Sequence, residues 1–166
     1  MAKILVFGSY KIVGIPSEVE RWLEEYTKQG HEFIVGGSSA LDNALHRTLS
    51  GVGAADKTTV YCMGYARYNK FNFKVREFDT VYDAEKKQAI ITEHGNSETA
   101  PYVIDDVNIE ADVQNNREWY EYLSNKMIDD CDAAIILYDG ESKTLKKMMQ
   151  KINIKNKPCY TFTLQV

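Results

Sequence analysis

The sequence is short of the features that usually announce a function. No apolar run approaches the roughly 18 residues needed to cross a membrane, and the first such run, Ile4 to Phe7, is also too short for the core of a secretory signal. A cytoplasmic protein without a membrane partner is therefore expected. Cysteine is scarce: Cys62, Cys131 and Cys159 are an odd number with no paired short spacing, which points to buried, reduced thiols rather than a disulfide framework. His31, His46 and His94 fall in no metal-ligand spacing, so neither a metal nor another cofactor is expected. His46, on a helix, reads as a surface or capping residue. The patterns GxGxxG and GxxxxGK[ST] are both missing, which argues against an ordinary dinucleotide or nucleoside-triphosphate site. Excess positive charge is lacking too. With 24 acidic against 20 basic residues the formal charge is −4, no field holds a polyanion, and nucleic acid is not the expected partner.

What is present suffices for one core. At 166 residues, 44% hydrophobic and 27% charged, a single domain over 1–166 is expected. Ile4 to Phe7, Phe33 to Val35, Thr58 to Met63, Ala133 to Tyr138 and Cys159 to Leu164 read as short buried strands. Between them, helical spacing is kept by Val19, Trp22, Leu23 and Tyr26, and by Leu41, Ala44, Leu45 and Leu49. It returns in Trp119, Tyr122, Leu123 and Met127, and in Leu145, Met148, Met149 and Ile152. Ser17 to Glu20 has the capping-box pattern that opens a helix. This alternation predicts an α/β fold, a Rossmann-like three-layer αβα sandwich around a mostly parallel sheet. The rhythm breaks over 65–112, where Thr80 to Tyr82 and Ala89 to Thr92 flank a polar turn. That segment reads as a β-hairpin insertion covering an edge or mouth of the core.

In such sheets ligands bind outside the carboxyl ends of the strands, where the strand order reverses. With the first strand central, the turns that meet there are Gly8-Ser9-Tyr10 and Asp139-Gly140-Glu141-Ser142, flanked by Gly36-Gly37-Ser38-Ser39. Glycine lets a backbone approach a phosphate closely, serine hydroxyls add donors, and a helix N-terminus favours an anion by a few tenths to about 1 kcal/mol. The Gly36 turn has a second reading: Ser39 with Asp42 three residues on is an ordinary N-cap. Glu118, Asp139 and Glu141 are the carboxylates near the expected mouth, suited to stabilising an oxocarbenium-like centre or activating water. Against that, Glu118 reads as a solvated helix residue and Asp139-Gly140 as turn chemistry. Arg67 to Arg76 interleaves basic and aromatic residues. It reads as a loop anchored by its aromatics, as a device bringing Arg67 or Lys70 over a phosphate, or as a single-strand stacking surface.

Gly8-Ser9, the run Gly36 to Ala44, Met127 and Asp132 leading into Ala133 to Leu137, Ser142-Lys143-Thr144 and Lys157-Pro158 together resemble the SLOG superfamily. This is the Rossmann-like group that includes the DprA and LOG proteins. The resemblance covers both ends of the chain but not 65–112, and its most specific piece is the GG-[AS]-x-x-x-D run followed by alanine, here Asp42 and Ala44. It implies a nucleotide or nucleotide-derived ligand at these turns, and some members cleave N-glycosidic bonds. With the turn residues named above, Arg117 and Thr144 complete the candidate ligand contacts. The sequence departs from the family at Lys143, where glycine is usual, and at Leu123, where arginine is usual. It also lacks the PGGxGTxxE signature of the phosphoribohydrolases. The leading expectation is a sensor or sequestering protein, with Tyr10 or an insertion aromatic packed on a base. The alternatives are a nucleotide N-glycosidase, phosphoribohydrolase-type or deoxyribosyltransferase-like enzyme, and a protein-interaction module. Homo-oligomerisation stays open.

Overall fold

The first strand, β1 (Lys3–Gly8), buries Ile4, Leu5, Val6 and Phe7 in an unbroken run. A strand with no polar face has to be covered on both sides. In the computed structural model, which describes residues 1–37, 39–63, 71–107 and 117–165 (of Arg117 the backbone alone), it is. Leu5 and Phe7 face a core shared with α3 (Arg117–Asp130) and α4 (Lys143–Ile154), while Ile4 and Val6 face one shared with α1 (Ser17–Lys28) and α2 (Ala40–Gly51). Full burial of each such side chain contributes about 1.5–3 kcal/mol, so a strand feeding two cores is the natural centre of the sheet.

The remaining strands are β2 (Glu32–Gly36), β3 (Thr58–Met63), β4 (Lys74–Asp83), β5 (Gln88–Glu93), β6 (Tyr102–Asp105), β7 (Ala133–Tyr138) and β8 (Cys159–Thr163). They form one eight-stranded sheet in the order β6-β5-β4-β3-β2-β1-β7-β8. Pairing from β4 across to β8 is parallel, and β5 and β6 are antiparallel. The chain is thus an α/β protein with a mixed, mostly parallel sheet flanked by helices on both faces, consistent with a generic Rossmannoid architecture. Asp132 fixes the register beside β1: its N–H donates to the Lys3 carbonyl at 2.7 Å and its carboxylate accepts from the Lys3 N–H at 2.8 Å. Among the described residues no helix is long and apolar enough to cross a membrane.

Three local expectations need correction. Pro16, not a serine, stands at the N-cap of α1, and no side chain caps that end; the helix starts at Ser17, too early for the Ser17–Glu20 box to form. Cys62 and Cys131 are buried free thiols as expected, but Cys159 is only half-buried because β8 is an edge strand. The hairpin does cover an edge of the core, by joining the sheet rather than lying over it. β4 begins at Lys74, within the stretch read as a basic loop, and runs parallel to β3 from Thr59↔Lys74 to Met63↔Phe78 before turning into β5.

Charged residues enter β4 because Arg76 is fully engaged. Its Nε and Nη2 donate to the two oxygens of Glu93 at 2.6 and 2.8 Å, and Nη1 donates to Asp130 Oδ2 at 2.7 Å and to the Tyr61 hydroxyl at 2.9 Å. Such a two-pronged guanidinium–carboxylate pair is among the stronger polar contacts in proteins, and this one ties β3, β4, β5 and α3 together. The Arg76 hydrogen bond, with help from Asn96 and Thr99, holds the Glu93 carboxyl down to about 2. Arg76→Met is expected to cost about 2–3 kcal/mol at neutral pH, somewhat below the figure for a fully buried pair because Arg76 keeps some exposure. Since Glu93 titrates near 4.5 unfolded and about 2 folded, its contribution is complete above the former value and lost as pH falls toward the latter. Urea denaturation of both proteins across that range should show the gap closing in acid; an unchanged gap would contradict this role for the pair.

Candidate functional site

The carboxyl edge of the sheet is organised where β1 stops. A Cβ on Gly8 would stand 2.3 Å from the Leu137 carbonyl oxygen and 2.9 Å from Leu41 Cδ2, so only glycine lets β1, β7 and the first turn of α2 come together there. Ser9 follows, 2% exposed. Its N–H donates to the Leu137 carbonyl at 3.0 Å, and its hydroxyl donates to Asp139 Oδ2 at 2.6 Å while accepting from the Lys11 N–H at 3.2 Å. The other oxygen of Asp139 accepts from the N–H groups of Glu141 and Ser142, each at 2.8 Å. Gly140, at φ +84°, supplies the left-handed backbone that closes this turn. The Ser9 hydroxyl, then the two amides, hold the Asp139 carboxyl down to about 2. At neutral pH it is therefore an ionised acceptor with no proton to give.

At the end of β2, the Ser39 hydroxyl accepts from the Asp42 N–H and the Asp42 carboxylate accepts from the Ser39 N–H, both at 3.0 Å. The N-cap reading of this turn is thus realised as a complete capping box. His46 is not on the surface: it is 2% exposed, and its Nε2 donates to the Gly36 carbonyl at 2.8 Å with Phe73 edge-on to the ring. Burial pushes its pKa down, with the Gly36 hydrogen bond opposing. A neutral imidazole thereby fixes the backbone of the glycine turn from below.

The structure brings Gly8, Ser9, Asp139, Glu141 and Ser142 together, with Gly36, Gly37, Ser39 and Asp42 beside them across Leu41. Tyr10 is 75% exposed, and Gly140 and Thr144 are exposed at the rim. Ser142 caps α4, accepting from the Leu145 N–H at 3.3 Å. Glu141 projects outward opposite Lys11 at 3.8 Å, an exposed pair of small energetic weight. Glu118 stands apart from them. It lines a cavity of about 330 Å³ with Tyr102, Glu121, Tyr122 and Asn125. A second, more apolar cavity of about 350 Å³ lies at the amino ends of β1 and β7, lined by Ile4, Tyr26, His31 and Tyr160 among others; neither includes the turn residues. Ser38, Arg67, Lys70 and the side chain of Arg117 lie outside the described residues. Among the described residues, no group of three or more His, Cys, Asp or Glu is placed to hold a metal ion.

Two residues here escaped the sequence reading. Lys11 had no motif to mark it. Tyr138, buried at the end of β7, was hidden in an apolar run, and its only signal was a hydroxyl among aliphatic neighbours. Chemically, the edge offers the first-turn amides of α2 and α4 at Ala40, Leu41, Lys143 and Thr144, donors that a helix leaves unused and that favour an anion. The neighbouring amides of Ser39, Glu141 and Ser142 are already taken by Asp42 and Asp139. No protein-family model, curated protein or solved structure matches the chain.

The contact at Gly8 yields a direct test. Gly8→Ala places a methyl against backbone and a packed leucine, and is expected to destabilise the protein by at least about 2 kcal/mol, measured by chemical denaturation. A loss within a few tenths of a kcal/mol would show that the edge can relax.

Proposed function

We propose that the chain is a SLOG-like binding protein of sensor or sequestering type, holding a nucleotide or nucleotide-derived small molecule between β1 and β7, with the β2–α2 turn as one wall. One observation carries this reading. Gly8-Ser9, Gly36-Gly37 with Ser39, and Asp139 to Ser142 converge where the sheet order reverses about β1, the place at which open α/β sheets take their ligands. The free amides at the start of α4 suit a phosphate, with Lys11 and Lys143 nearby in the same turns. Asp139, three of whose roughly four acceptor positions are occupied, suits a sugar hydroxyl. Exposed Tyr10 suits a base. An ionised, hydrogen-bonded Asp139 with Glu118 elsewhere favours binding over acid-catalysed N-glycosidic cleavage.

Thermal denaturation against nucleoside monophosphates, cyclic nucleotides and ADP-ribose tests the proposal, since a ligand raises stability as RT ln(1 + [L]/Kd). At least one of these should raise the midpoint of the wild type. Thr144→Glu adds a carboxylate to the first turn of α4, where it suits the helix dipole but repels a bound anion. That variant should melt near the wild-type temperature and lose the shift. No shift with any of these compounds, or an equal shift in Thr144→Glu, contradicts the site.

A further inference from the structure

Tyr138 closes β7, and the alternation of that strand turns it, with Ala134 and Ile136, toward the α3/α4 core that holds Phe7, Trp119 and Leu145. The residue is 9% exposed. Among the buried side-chain nitrogen and oxygen atoms of the described residues, its phenolic oxygen alone has no hydrogen-bond partner. Buried tyrosines normally find one, and a hydroxyl buried without one destabilises the fold that keeps it. The surroundings say what such a group is for. Tyr138 leads directly into the Asp139–Ser142 turn that caps α4. Helix α3 runs antiparallel to β7, since Asp130 lies two residues before the Asp132 clamp at the strand's amino end. The first turns of α3 and α4 therefore both reach the carboxyl edge, but α3 starts over β4, with Trp119 against Tyr82, and α4 alone starts at the turn that follows Tyr138. The α4 N-terminus attracts negative charge to that turn, and a phenol donates well to a charged oxygen in a low-dielectric setting.

We propose that Tyr138 is a ligand contact: its hydroxyl donates to a phosphate oxygen of the nucleotide, seated beneath the first turn of α4. This rests on the binding site proposed above and names the part of the ligand that this residue reads. It also makes Tyr138 a selectivity device, because only a ligand that places an acceptor here gains the hydrogen bond the free protein lacks.

The experiment is Tyr138→Phe beside the wild type, with melting of the free proteins and calorimetric titration of AMP, GMP, CMP and UMP and of the corresponding nucleosides. Without ligand, Tyr138→Phe should melt at the same temperature or higher. It should bind the best monophosphate roughly ten- to a hundredfold more weakly, with nucleoside binding equal in the two proteins. A lower melting temperature for the free variant means that the hydroxyl already has a partner inside the protein, and overturns the inference. Equal monophosphate affinities, or a matching loss for nucleosides, overturn it while leaving the binding site standing. If no monophosphate binds the wild type, the phosphate contact falls together with the binding site it rests on.

Discussion

Gly8 leaves room for the Leu137 carbonyl and the Leu41 side chain at the end of β1, and the order of the carboxyl edge follows from that contact. With no Cβ in the way, the β1–β7 pairing continues to Gly8↔Leu137, and the Ser9 N–H adds one further bond to the same carbonyl. Ser9 is then close enough to hold the Asp139 carboxylate, which in turn gathers the amides that lead into α4. Leu41 carries the same contact across to α2, whose first turn is locked by its own capping box. One missing side chain thus aligns two helix starts and a strand end.

The consequence for chemistry is that each helix start already holds an anion of the protein's own, Asp42 on α2 and Asp139 near α4. Such carboxylates stabilise the helices they precede, and they reduce the number of amides open to a phosphate. A ligand here gains less from helix dipoles than it would in a glycine-rich loop without acids, so more of its recognition falls to hydroxyl, aromatic and phenolic contacts. The Arg76 network joins β3, β4 and β5 to the end of α3. It braces the sheet extension beyond β2 rather than the turns beside β1 and β7. Among the described residues the hydroxyl of Tyr138 finds no partner, a sacrifice of stability at one end of the sheet that tight packing elsewhere can offset.

Much of this was legible in the residues. Ala133 to Tyr138 reads as a strand because burial on both faces leaves an unbroken apolar run, and the helices read from their 3.6-residue spacing. β4 was seen only in its second half, because Lys74 and Arg76 look like loop until Glu93 and Asp130, far off in sequence, neutralise the guanidinium. β6 is four residues on an edge with little pattern to show. His46 was misplaced because the buried arc of α2 is broad, taking in Leu41, Asp42, Ala44, Leu45, His46 and Leu49. At the site, strand ends followed by Gly-Ser and Asp-Gly were visible. The bond between Ser9 and Asp139, 130 residues apart, needed the fold, as did the removal of Glu118 to another cavity.

The most direct test is a nuclear magnetic resonance titration of ¹⁵N-labelled protein with nucleoside monophosphates, following backbone amides. A ligand between β1 and β7 should move the signals of Ser9, Gly36, Gly37 and Glu141 to Thr144 together, at a common apparent Kd. Shifts confined to Tyr102, Glu118, Glu121, Tyr122 and Asn125, or no shifts at all, would contradict the site.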